Sequence, residues 1–325
     1  MNRTSARRII APSVAALALG LALTACGAGN ESNNNSDGDS GSGDKLSGTL
    51  QAGGASSQEK AQAAWVAGVQ DANPDLTINY EPVGSGDGRA NFISGGYAVA
   101  GSDSMLSDDE LTAATDRCSA EPLQLLAYVG PIAVAYNLPS VDKLTLDATT
   151  MSDIWSGKIT KWNDPAIAAG NDGVDLPDTT ISPVHRSDDS GTQKTFTSYL
   201  AEHGGWSHEP EGVWPSDLSG EGADGTAGVA GAVKAGEGTI AFLDSSAALA
   251  NSLTTAEVAG DPIELRSWLI ACPSYEDANQ ASLVKGYLSY VFSADGQQAA
   301  ADEAGIQPLD EAALSEATAQ IDAIS

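Results

Sequence analysis

Thr49-Leu50-Gln51-Ala52-Gly53-Gly54-Ala55-Ser56-Ser57-Gln58-Glu59 changes character twice within a few residues. Thr49–Ala52 reads as a short strand that runs into two glycines. Ser56-Ser57-Gln58-Glu59 then opens a helix, with Ser56 and Glu59 at the spacing of a capping box. Ala61, Ala64, Trp65, Gly68 and Val69 make one apolar helical face, and Asn73-Pro74 stops it. The same order, strand to Gly/Ser turn to helix, recurs along the chain. Strands alternating with helices predict an α/β fold with a largely parallel sheet.

Leu76–Pro82 is the next predicted strand, followed by the turn Val83-Gly84-Ser85-Gly86-Asp87-Gly88 and a short helix to about Ser94. Tyr97–Ala100 is a strand ending at Gly101-Ser102-Asp103. Ser107-Asp108-Asp109-Glu110 caps a helix that carries Cys118. Leu123–Tyr136 and Ile263–Ala271 are long apolar strands. Between them lie a helix at Thr150–Gly157, a turn-rich segment anchored by Trp162, a strand at Thr180–His185 and a helix from Thr192 to His203. Gly204–Gly225 reads as loop, Gly228–Ala235 as helix and Thr239–Leu243 as strand. Helices at Ala281–Phe292 and Gly296–Ala304 and a surface helix at Glu311–Ile324 close the chain.

The 325 residues suffice for two domains. A formal net charge of −29 argues against nucleic acid or an anionic membrane surface as partner. It does not exclude a small anion, because salt screens distant charges within about 10 Å at about 0.1 M. Residues 1–25 read as a signal peptide: Arg3, Arg7 and Arg8 precede an apolar stretch, Ile9–Leu23, that is short for a membrane span. Leu23-Thr24-Ala25-Cys26 is similar to a lipobox, which predicts cleavage before Cys26 and lipid on its thiol. Residues 26–45 are Gly-, Ser-, Asn- and Asp-rich and read as a flexible tether with a reach of about 25 Å. Two cysteines remain, Cys118 and Cys272. An even count outside the cytoplasm predicts a disulfide, the alternative being two buried thiols.

The turns at Ser56-Ser57, Ser85-Gly86 and Ser190-Gly191-Thr192 share a chemistry. In open α/β sheets ligands sit beyond the carboxyl ends of strands. Helix N-termini there offer free N–H donors and a positive dipole end, and hydroxyls add short donors, so the combination suits an anion. One such turn is an ordinary N-cap. Three together with Arg186 and Asp103 suggest an oxyanion site, since a guanidinium can grip a tetrahedral oxyanion through two parallel bonds. Asp188 is placed to steady Arg186.

In that combination the chain resembles the phosphate-binding proteins of bacterial phosphate ABC transporters, particularly the lipoproteins of high-GC Gram-positive bacteria. Ala52–Ser57, Val83–Gly88, Gly101-Ser102-Asp103 and Arg186–Thr192 resemble the family's ligand loops. Ile154–Pro165 and Gly228–Asp244 resemble signatures of its second domain. The resemblance implies a two-domain periplasmic-binding-protein-like (type II) fold with hinge-crossing strands. Domain I would hold 46–128 and 266–325, and domain II 129–265. It implies phosphate contacts from Ser56, Ser57, Ser85, Asp103, Arg186, Ser190, Gly191 and Thr192, with Asp188 behind Arg186. Ser57 stands where many members have Phe, Asp189 where Gly is usual, and the stretch from about Ser245 to Leu265 is shorter than the family's by tens of residues. The implied protein is a monomeric, lipid-anchored receptor on the outer face of the cell membrane. It would deliver inorganic phosphate to permease subunits, with no cofactor or metal, and would not be an enzyme.

Asp103 carries the selectivity in this reading. At neutral pH phosphate bears a proton and sulfate does not; a carboxylate accepts a bond from that proton but meets ionised sulfate lone pair to lone pair. A receptor for another oxyanion, sulfate or molybdate, should avoid such a carboxylate. A secreted phosphoester hydrolase is the enzymatic rival. Gly-x-Ser-x-Gly and Walker-type motifs are absent, however, and His203 and His208 are too isolated for a metal site. A surface adhesion protein on the same fold is the third rival.

Overall fold

β1 (Gly48–Gly54), β2 (Leu76–Glu81) and β3 (Val99–Ser102) pair in parallel, with α1 (Glu59–Ala72) and α2 (Ser85–Ser94) as their connections. After α3 (Asp108–Cys118) comes β4 (Leu123–Tyr136), and its neighbour β10 (Glu264–Ala271) lies antiparallel both to it and to β3. Between these two long strands the chain forms β5 (Thr145–Leu146), α4 (Ala148–Trp155), α5 (Pro165–Ala169), β6 (Ser182–Arg186), α6 (Gly191–His203), β7 (Glu221–Ala223), α7 (Gly225–Ala235), β8 (Thr239–Asp244), α8 (Ser245–Ala250) and β9 (Thr254–Val258). It ends in α9 (Ala278–Val291), α10 (Ala294–Ala304) and α11 (Glu311–Asp322). This computed structural model describes residues 45–325, which gather into one unit. The signal peptide, Cys26 and nearly all of the tether lie outside the described residues.

The sheet order is β2-β1-β3-β10-β4-β8-β6-β7, with β9 against β4 and β5. The expectation of a largely parallel sheet needs correcting: the two long strands make the centre antiparallel. Strands of adjacent βα units end up parallel because a helix carries the chain back. β10 arrives instead as a return path, and it pairs with Leu123–Pro131 of β4. The remainder of β4, Ile132–Tyr136, pairs with β8.

Two main apolar clusters flank this sheet. One joins Leu50, Trp65, Ile78, Leu125, Tyr128 and Leu269 to the C-terminal helices. The other joins Ile132, Tyr136, Trp155, Trp162, Phe196, Phe242 and Leu265. Each fully buried side chain of this size contributes about 1.5–3 kcal/mol relative to exposure. In α1 the faces follow helical spacing, with Ala61, Trp65 and Val69 buried. Trp155 packs its ring against Phe196 and Phe242 at centroid distances of 4.8 and 5.9 Å.

Several local expectations shift. Ser56 and Glu59 form no capping box: a 3-10 turn, Ser56–Gln58, precedes α1, and the Ser56 hydroxyl bonds elsewhere. The box at Ser107 and Glu110 does form. β3 starts two residues later than Tyr97. The loop before Gly225 contains β7, and the shortened stretch after Ser245 holds α8 and β9. α11 is not only a surface helix, since Ala317 and Ile321 are buried in the first cluster. Cys118, at the end of α3, and Cys272, just past β10, are disulfide-bonded with Cα atoms 5.3 Å apart. Among the described residues no helix is long and apolar enough to cross a membrane.

Candidate functional site

Asp103 follows β3 directly, where the chain leaves the sheet, and is 3 % exposed. Three hydroxyls from three elements donate to its carboxylate. Ser57 and Thr192 donate to Oδ2 at 2.6 and 2.8 Å, and Ser267 donates to Oδ1 at 2.6 Å. Its own N–H donates to the Ser85 hydroxyl at 3.1 Å. Burial pushes the Asp103 pKa up, while the three hydroxyls and the nearby charge of Arg186 pull it part of the way back.

Arg186 closes β6 and is 3 % exposed. Its Nε donates to Asp188 Oδ1 at 2.7 Å and its Nη2 to Asp188 Oδ2, a two-pronged pair that fixes the guanidinium plane. The N–H of Gly225 also donates to Asp188 Oδ1, at 3.1 Å. The Ser190 hydroxyl caps α6 by accepting from Gln193 N–H. Gly191, the first residue of α6, is pressed so closely against Asp103 and Ser85 that a Cβ there would lie 2.8 Å from atoms of each. Of the eight residues expected to touch the ligand, Ser57, Ser85, Asp103, Gly191 and Thr192 meet one another directly, with Arg186 at the end of β6 and Ser190 at the cap of α6. Ser56 stands slightly apart, its hydroxyl sharing a hydrogen bond with that of Thr226 and accepting from Thr226 N–H at 3.0 Å.

Three participants escaped the sequence reading. Ser267 sits in β10 at a register shift between Ser267 and Trp268. Such a bulge re-aims a side chain, and nothing in an apolar strand announces it. Gln58 holds Ser267 in place through its Nε2, 2.8 Å from the Ser267 hydroxyl. Thr226 lies in the first turn of α7 after β7, a fourth instance of the strand-turn-helix pattern. The sequence reading starts this helix at Gly228, which leaves Thr226 in the preceding loop, whereas α7 begins at Gly225.

A family model described as the PBP superfamily domain matches residues 39–295. The chain belongs to the PBP superfamily. Within it, phosphate-binding protein PstS 3 of Mycobacterium leprae is 40 % identical over 213 residues, 65 % of this chain and 58 % of that protein. The chain thus spans a little under three fifths of that curated relative. A solved structure of a high-affinity periplasmic phosphate-binding protein with bound phosphate superposes with a TM-score of 0.69 at 20 % identity, over 83 % of this chain and 93 % of that one. The phosphate-binding protein from Stenotrophomonas maltophilia superposes at 0.67 with 18 % identity, over 84 % and 93 %. Such likeness establishes the mixed α/β, two-domain PBP fold.

Proposed function

We propose that this PBP-superfamily chain is the receptor of an ABC-type importer and that it holds inorganic phosphate at Asp103 and Arg186. The observation that carries the reading is the buried Asp103 carboxylate in a ring of hydroxyl donors beside a fixed, buried guanidinium. A carboxylate has about four acceptor positions, and Ser57, Thr192 and Ser267 occupy three. The fourth accepts the proton that phosphate carries. Arg186, the N–H groups of Ser56, Ser57, Gly191 and Thr192, and the hydroxyls of Ser85 and Ser190 supply donors for the remaining oxygens. Asp188 steadies Arg186. The names of the relatives point to the same ligand.

Residues 46–128 with 266–325 form one moving domain in this reading and 129–265 the other, hinged where β4 and β10 cross. The sorting of the two apolar clusters along the same boundaries supports it. Lipid on Cys26 would tether a monomeric receptor at the outer face of the membrane, within reach of the permease subunits. A binding rather than hydrolytic role is supported by His185, whose ring stacks on Trp214 at 4.6 Å and whose Nδ1 pairs with the Arg186 carbonyl. That arrangement leaves Ser190 without it as a base.

Calorimetric titration of the mature chain tests the proposal. Phosphate should bind at micromolar strength or better, about −8 kcal/mol or more favourable, and sulfate should barely bind. Equal binding of the two anions would overturn the assignment.

A further inference from the structure

We propose that Asp189 is a positioning residue that clasps the binding loop before α6 to α2 across the cleft, through Arg89, and so slows release of the ligand. The inference rests on the receptor reading above, and concerns residues outside its ligand contacts.

Arg89 is a charged side chain in the interior, 7 % exposed, on α2. Its Nε donates to Glu110 Oε1 at 2.9 Å, and its Nη1 to the hydroxyls of Ser102 and Ser104 at 3.2 and 2.9 Å. These partners all belong to the β1–β3 side of the molecule. Nη2 alone reaches across, to Asp189 Oδ2 at 3.4 Å. The crossing is reinforced by the backbone, where Gly86 N–H donates to the Asp189 carbonyl at 2.9 Å. The Asp189 side chain is wedged between two residues that have none. A Cβ on Gly86 would lie 2.4 Å from its Cβ, and one on Gly212 would lie 1.9 Å from its Oδ1. Burial raises the Asp189 pKa, and Arg89 is the largest influence opposing that rise.

The clasp therefore has a preorganised half and a movable half. Glu110 and two serines hold Arg89 whether or not the cleft is shut, so closing it orders only Asp189. Asp189 stands where the resembling family usually has glycine, which could supply the backbone bond to Gly86 but no charge. It is also 41 % exposed at the side chain, on a cleft of about 190 Å³ shared with Ser104, Met105, Lys194 and Glu211. Salt can therefore reach it.

Stopped-flow release of phosphate from the mature chain tests the clasp, using wild type, Asp189→Gly, Arg89→Gln and the double variant. Each single variant should release phosphate about threefold to fivefold faster, the size of a partly exposed ion pair. The double should be no faster than either single, and the phosphate-to-sulfate ratio should stay at the wild-type value. Raising salt should speed release from wild type and leave Asp189→Gly unmoved. Unchanged release from Asp189→Gly, or additive effects in the double variant, would overturn the clasp; Asp189→Gly decides alone if Arg89→Gln fails to fold. A wild type that binds no phosphate would defeat the receptor reading instead. Spin labels on α2 and α6 would then decide the clasp separately: Asp189→Gly should widen their spacing, and an unchanged spacing would overturn it.

Discussion

Asp103 draws hydroxyl donors from the 3-10 turn, from α6 and from β10, so a change of one atom there should alter selectivity more than strength. Asp103→Asn replaces an acceptor with a group that also donates, which removes the repulsion toward sulfate. The phosphate-to-sulfate affinity ratio, measured by competition titration, should shrink more than it does in Arg186→Ala. The latter should weaken phosphate at least about tenfold through lost charge-assisted bonds. Acidification should mimic Asp103→Asn, and should begin above the ordinary carboxylate range because burial raises this pKa. Asp244 shows the other consequence of burying a carboxyl. It caps α8 through Oδ1, while Oδ2 is buried without a partner, and burial pushes its pKa up to about 6. The folded state thus holds a proton that the unfolded chain has given up. Its contribution to stability is intact below the ordinary carboxylate value and declines as pH rises to about 6. Asp244→Asn should flatten that decline in a denaturant series between about pH 4 and pH 7.

At the scale of elements the site depends on the N-terminus of α6 coming to rest against the end of β3. Gly191 permits this, since its Cα is packed against Asp103 and Ser85 with no room for a side chain. Gly191→Ala adds a methyl group where the two sides meet, and helix propensity at that position favours alanine over glycine. If the sides separate when the ligand leaves, the penalty falls only on the bound state. Phosphate affinity should drop about tenfold or more, at the lower end of what overpacking costs, while the melting temperature without phosphate stays near the wild-type value. A fall in that melting temperature matching the affinity loss would mean that α6 and β3 stay in contact throughout.

Across the whole molecule the Cys118–Cys272 bond ties the end of α3 to the exit of β10, 154 positions apart in sequence. Closing so long a loop constrains the unfolded chain, and its removal typically costs about 2–5 kcal/mol. Cys118→Ser with Cys272→Ser should lower the denaturation midpoint accordingly, and the unreduced wild-type domain should show no alkylatable thiol between residues 45 and 325. The proposed anchor at Cys26 belongs to the same scale. Cys26→Ser should leave the protein unprocessed or release it from the membrane fraction. Normal cleavage with unchanged membrane retention would refute lipidation there.

Leu123–Tyr136 reads as one strand because it is apolar almost throughout, and β4 has those ends. Trp65, Val69 and Trp162 were legible as core anchors because their spacing or isolation among polar residues leaves burial as the stable outcome. Ser57, Ser85, Asp103, Arg186 and Ser190 stand out in the sequence because each lies at a local change from strand to turn to helix, and the fold brings Ser57 and Ser85 into contact with Asp103. The strand-turn-helix order thus determined the α/β class and the helix N-termini that face the site. The antiparallel centre of the sheet, the bulge that turns Ser267 toward Asp103, and the reach of Arg89 to Asp189 were decided only by the tertiary structure. They pair residues 164 and 100 positions apart in the last two cases, and a strand's partner depends on where the chain returns rather than on its own periodicity. A buried arginine and a serine in an apolar strand read locally as surface residues, until the packing of other elements removes the water that would have solvated them.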